Sequence, residues 1–174
     1  MIELIVGFEE ETYLAHEHVL TVSFLFEHLC REHPASLKLA EDDAETFGYM
    51  LEYLYKSRIP SYSAETHQHI QSFHQKIVLL YVMAEKYGLD RLQARLIVVL
   101  KARVAMTCED FFEDARFMFQ NIPREEGPYF VYFYKVAKIH LPEALEEQWM
   151  RVYMERGGPF MIALGKVMSS LLKK

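Results

Sequence analysis

Cysteine, glycine, proline and basic clusters are all scarce in this chain of 174 residues. The two cysteines, Cys30 and Cys108, lie far apart and in no CxxC pair. A disulfide framework and a thiolate metal knuckle are therefore not expected; free thiols suit a reducing, intracellular compartment, cytoplasmic or nuclear. With 7 Gly and 6 Pro against 51% hydrophobic residues, the composition predicts an ordered, mostly helical protein. No apolar run approaches the roughly 18 residues of a membrane span; Ile77–Ala84 and Leu96–Leu100 are too short. No charged-then-apolar leader precedes Gly7. The expectation is a soluble protein with no membrane partner. Net charge is −6, and the basic groupings are only Lys101-Ala102-Arg103 and Lys173-Lys174. Phosphate binding needs clustered Lys and Arg, so nucleic acid is not an expected partner.

Chemistry-bearing motifs are also missing. There is no G-x-S-x-G elbow and no glycine-rich phosphate loop. Among the eight histidines, His16-Glu17-His18 sits where a strand turns into a helix. His67, His69 and His74 lack the i, i+4 spacing by which two helix-borne imidazoles share a zinc ion. The acidic groups Glu9-Glu10-Glu11, Glu41-Asp42-Asp43 and Glu146-Glu147 read as solvated turns and helix starts. No catalytic residue, metal site or cofactor is expected. A motif-poor enzyme, or a metal site built on His67, His69 and His74, is kept as an alternative.

What is present is a pattern. Ile2–Val6 and Thr12–Ala15 read as a hairpin of short strands, His18–Cys30 as one bent helix or two short ones, and Leu37–Leu39 as a third strand. From Leu39 to Pro60 the chain reads LAEDDAETFGYMLEYLYKSRIP. Asp42 and Glu45 have capping-box spacing; Phe47, Met50, Leu51, Leu54 and Tyr55 make an apolar face, and Ile59-Pro60 a stop. After a loop at Ser61–Thr66, a helix is predicted from His67 to Tyr87, with Gly88 as its left-handed end. Asp90 starts another. Beyond about Ala105 only helices follow. One is capped by Thr107, an aromatic one covers Tyr129–Ile139, one is started by Pro142, and the last follows Gly157-Gly158-Pro159. The polar turn between the first two covers Asn121–Pro128.

The aromatic helix carries Tyr129, Phe130, Tyr132, Phe133 and Tyr134 around its whole circumference. Such a helix is either sandwiched in a core or presents aromatic anchors to a partner. Tyr129, Phe130 and Phe133 are accordingly candidate interaction residues.

Three segments together resemble a BTB/POZ domain, most closely the short single-domain members typical of filamentous fungi. They read VGFEEETYLAHEHVLTVSFLFEHL, LKLAEDDAETFGYMLEYLYKSRIP and LLYVMAEKYGLDRLQARLI. The matching pieces are Val6-Gly7, Tyr13 to His16, Leu20, Ser23 and Phe26, the acidic cluster with Phe47, Leu54-Tyr55, and Ala84 to Gly88. They run over about residues 2–105. The resemblance implies an α+β, mostly helical fold: a helical cluster with a small three-stranded sheet over residues 1–105, followed by a helical extension over 106–174. It also implies a non-catalytic protein–protein interaction module that dimerises or docks another BTB protein, with His16 closing the strand-to-helix turn. Val19, Val22, Phe24 and Leu25 are the residues it places at a self-association face. The extra N-terminal strand that dimeric members exchange has no counterpart before Ile2, and Phe24 follows Ser23 where proline or an aromatic is usual. Adaptor members bind a cullin ubiquitin-ligase scaffold through an apolar-x-acidic element, which the link CREHPASLKL lacks. A cullin-type substrate adaptor is therefore the alternative reading.

Overall fold

The computed structural model describes residues 1–59, 67–102, 107–122 and 127–173, with the backbone alone for 67–74. It shows the expected α+β, mostly helical class. Among the described residues, three strands and nine helices run in the order β1 (Ile2–Val6), β2 (Glu11–Ala15), α1 (Glu17–Leu20), α2 (Phe24–Glu32), β3 (Ser36–Leu39), α3 (Ala44–Lys56), α4 (His67–Lys86), α5 (Asp90–Lys101), α6 (Cys108–Asn121), α7 (Pro128–Ala144), α8 (Gln148–Arg156) and α9 (Pro159–Leu172). The chain divides inside α5 into two compact units, Met1–Leu96 and Ile97–Lys174. The predicted loop at Ser61–Thr66, Pro60 as a stop, the Ile70 and Phe73 side chains and most of the turn before Pro128 lie outside the described residues.

In the first unit the strand order is β2-β1-β3, with β1 antiparallel to β2 and parallel to β3. Side chains alternate across a strand. Ile2, Leu4, Val6, Ala15 and Leu37 therefore enter the core, while Glu3 and Lys38 face water. Gly7 ends β1 at φ 78°, and a Cβ there would stand 3.2 Å from the Asp42 carbonyl oxygen. Tyr13 leaves β2 on the buried side, donates its hydroxyl to the Ala44 carbonyl at 2.8 Å, and packs on Phe47. Gly48 leaves room for that ring.

Three readings shift against the structure. The cap of α3 is Asp43, whose side chain accepts from the Thr46 amide at 2.8 Å; Asp42 is buried instead, and Glu45 pairs outward with Lys76. The helix also ends before Ile59-Pro60. Ser57 turns left-handed at φ 52°, and its carbonyl accepts from Arg95 at 2.5 Å, with the guanidinium over the Tyr53 ring. Finally, Pro142 does not start a helix but lies inside α7. Its missing N–H removes one bond near the helix end, while buried Leu141 and Ala144 flank it and hold the last turn in the core. The Gly88 reading stands, with φ 65° and the Leu89 amide reaching back to Ala84 at 2.8 Å.

In the second unit α6, α7 and α9 pack on one another. Thr107 and Asp110 form a reciprocal capping box at the start of α6. The centre is aromatic. Phe133 stacks on Phe111 at 5.8 Å and meets Phe119 edge-on at 4.8 Å, with Phe112 and Phe160 also around it.

Candidate functional site

The α1–α2 stretch is built around one buried serine. Ser23 caps α2 by accepting the Phe26 amide at 3.3 Å, and its hydroxyl donates to the Tyr87 carbonyl at 2.5 Å. Below it Phe26 and Tyr87 stack face to face at 4.2 Å, with Phe47 edge-on to both. The Tyr87 hydroxyl donates to Asp42, whose other oxygen accepts from Lys86 at 2.7 Å. Burial, then the Asp42 carboxylate, pushes the Tyr87 phenol far above its ordinary range. Residues far apart in sequence thus converge on one centre.

That centre dictates what faces out. Leu20, Ser23 and Phe26 recur every third residue and are fully buried. Val22 and Phe24, on either side of the pinned serine, are 65% and 85% exposed, while Val19 and Leu25 are half-buried. The four candidates occupy one seven-residue stretch, and two are presented to solvent.

Beside them, Met1, His16, Glu17, His18 and Thr21 line an open concavity of about 420 Å³. His16 is the residue before α1. Its backbone N–H donates to the Tyr55 hydroxyl at 2.8 Å, and its Nδ1 lies 2.9 Å from the same oxygen. This ring is tied to α3. His16 and His18 are 5.5 Å apart between ring centres, yet among the described residues no three His, Cys, Asp or Glu groups are placed to hold a metal ion. The side chains of His67, His69 and His74 lie outside the described residues. Burial pushes both thiols up, aided at Cys30 by Glu17 and at Cys108 by Glu143 and Glu147. Both are thereby poorer nucleophiles than an ordinary cysteine.

On α7, Phe133 is fully buried and Tyr129 nearly so, which makes them core residues with no exposed surface to offer. Phe130 is half-buried. It lies against Phe119 and Tyr134 with the Lys166 ammonium over its ring at 5.8 Å. The Asp42 centre and the lysine-flanked rings of α7 were not read from sequence. The i, i+4 spacing of Phe130, Tyr134 and Lys138 was the available signal for the second; a capping role masked the first.

No protein-family model matches this chain, and no curated protein is similar to it. Among the described residues no helix is long and apolar enough to cross a membrane.

Proposed function

We propose that this chain is a non-catalytic protein–protein interaction module of BTB/POZ type, and that its first unit self-associates through the α1–α2 face. One observation carries the reading: Val22 and Phe24 are held in solvent by a backbone that Ser23 locks to Tyr87. Turning either side chain inward would cost that buried bond. Covering them with a second copy instead buries two apolar side chains from each partner, at about 1.5–3 kcal/mol per large side chain. A two-fold arrangement presents the same patch twice and closes on itself. Two thiols shifted toward the protonated form suit free cysteines of an intracellular interaction protein.

Light scattering at micromolar concentration tests the reading. The intact chain should have the mass of a dimer, and Val22→Asp with Phe24→Asp should give a monomer with unchanged circular dichroism. A monomeric intact chain removes the self-association claim. A dimer that survives both substitutions moves the contact elsewhere.

A further inference from the structure

The second unit has a surface that self-association through α1–α2 leaves unused. Between Pro128 and Pro142 every Asp, Glu, Lys or Arg is a cation, and the same holds from Gly157 to Lys173. These stretches cover nearly all of α7 and the whole of α9, in a chain whose net charge is −6. The cations are not scattered at random around the helices. Along α7, Phe130, Tyr134 and Lys138 stack at successive i, i+4 steps, with rings 5.0 Å apart and the Lys138 ammonium 6.0 Å from the Tyr134 centroid. Lys166 of α9 covers the other end of this ladder, over Phe130. One residue round the helix, Val131, Lys135 and Ile139 repeat the alternation of apolar and cationic groups; Val131 is 56% and Ile139 73% exposed. On α9, Ile162, itself 55% exposed, precedes Lys166 by one turn.

We infer that this α7–α9 face docks an acidic, amphipathic peptide segment of another protein. Apolar side chains of the peptide would lie on Phe130, Val131 and Ile139, and its carboxylates would meet Lys135 and Lys138. Ammonium groups resting on ring faces keep their charge while their stems cover apolar surface. That makes a face attractive to carboxylates and to aliphatic groups together, and repellent to a basic segment. An anionic membrane is the weaker fit. Stable electrostatic adsorption takes about four to eight clustered basic residues, and the acidic excess of residues 1–96 opposes approach to a negative surface.

The probe is a short fluorescein-labelled peptide in which glutamate pairs alternate with Leu and Phe, titrated with the full chain and followed by fluorescence anisotropy. Saturable binding is expected, weakening as sodium chloride is raised. The double substitution Lys135→Glu and Lys138→Glu should weaken it by roughly tenfold or more. Arg58→Glu with Arg91→Glu, a reversal of equal size on exposed residues of the first unit, should leave it within about twofold. Circular dichroism and melting temperature check that both variants are folded. The inference is overturned if the peptide does not bind. It is equally overturned if the glutamine version binds as well, or if both charge reversals act alike. Tighter capture by phosphatidylserine vesicles than by peptide, lost in the Lys135/Lys138 variant, would assign the face to a membrane. A change of molecular mass in that variant without peptide would assign it to a second copy. None of these outcomes depends on Val22 or Phe24, so failure here and failure of self-association are told apart.

Discussion

In residues 1–96 the aromatic centre is tied down by polar groups: Ser23 holds the Tyr87 carbonyl, and Asp42 holds its hydroxyl. In residues 97–174 the centre is built by ring packing: Phe111, Phe112, Phe119 and Phe160 all meet Phe133. The difference teaches how each unit is specified. Hydrogen bonds have direction, so the first core fixes which way each ring and neighbouring backbone segment faces; a missing partner leaves an unsatisfied group inside. Ring packing is set by shape and volume, so the second core depends on filling space. One unit is sensitive to lost partners and the other to lost volume.

The largest expected effect tests the second unit. Phe133→Ala opens a cavity among four phenylalanines and should cost about 3–5 kcal/mol. Urea titration read by Trp149, the single tryptophan, checks it, because this ring lies 6.0 Å from Phe112. A loss below about 1 kcal/mol would mean that the rings repack freely.

Next is Asp42→Ala, which strands the Tyr87 hydroxyl inside and should destabilise the first unit by about 2–3 kcal/mol. Asp42→Asn keeps an acceptor and should cost less. The readout is alkylation of Cys30, a thiol 2% exposed, as denaturant is raised. Equal losses for both substitutions would show that the carboxylate's charge, rather than its acceptor role, holds Tyr87.

The caps provide a matched pair. Thr107→Ala and Asp43→Ala should each cost about 1 kcal/mol, the first read at Trp149 and the second at Cys30. Asp43 also accepts from the Thr46 hydroxyl, so its loss should be the greater of the two.

The smallest effect is at the surface. Lys76, first by its hydrogen bond, and then Tyr49 hold the Glu45 carboxyl below the usual carboxylate range. The folded value is the lower one, so this pairing contributes above about pH 4.5 and fades as pH falls through the folded value. Both side chains are more than a third exposed, which limits the effect of Glu45→Gln at pH 7 to about 0.5 kcal/mol. The difference from the intact chain should shrink toward pH 3 in urea titrations followed by circular dichroism. A constant difference across that range would assign the loss to the Tyr49 contact.

Much of this architecture was legible in the residues. A short apolar run ending at Gly7 marked β1, Thr107 as a cap marked the start of α6, and Gly88 marked the end of α4, because each depends on neighbours within a few positions. The parallel pairing of β1 with β3 was not legible, since it is a long-range choice that no local pattern encodes. Asp42 and Asp43 are equivalent as caps on paper; the approach of Tyr87, just after α4, goes with Asp43 capping and Asp42 turned inside. Pro142 misled because a proline near a helix end resembles one at a helix start until the buried face on either side is known. At the candidate face, apolar content around residues 19–25 was readable. That Val22 and Phe24 point outward was not, because it follows from Ser23 bonding to a residue 64 positions away.

That separation also bears on how the chain is made. On a ribosome, α2 and α3 emerge long before Tyr87, and until it arrives Phe26 lacks its stacking partner, Ser23 its acceptor and Asp42 its phenol. Contacts of long sequence separation close late, and a nascent chain with exposed rings is the form most prone to aggregate. Synthesis stalled between α3 and the end of α4 would therefore leave a chain whose first centre is still open. Emergence of Tyr87 is the moment at which the first unit can become a folded object.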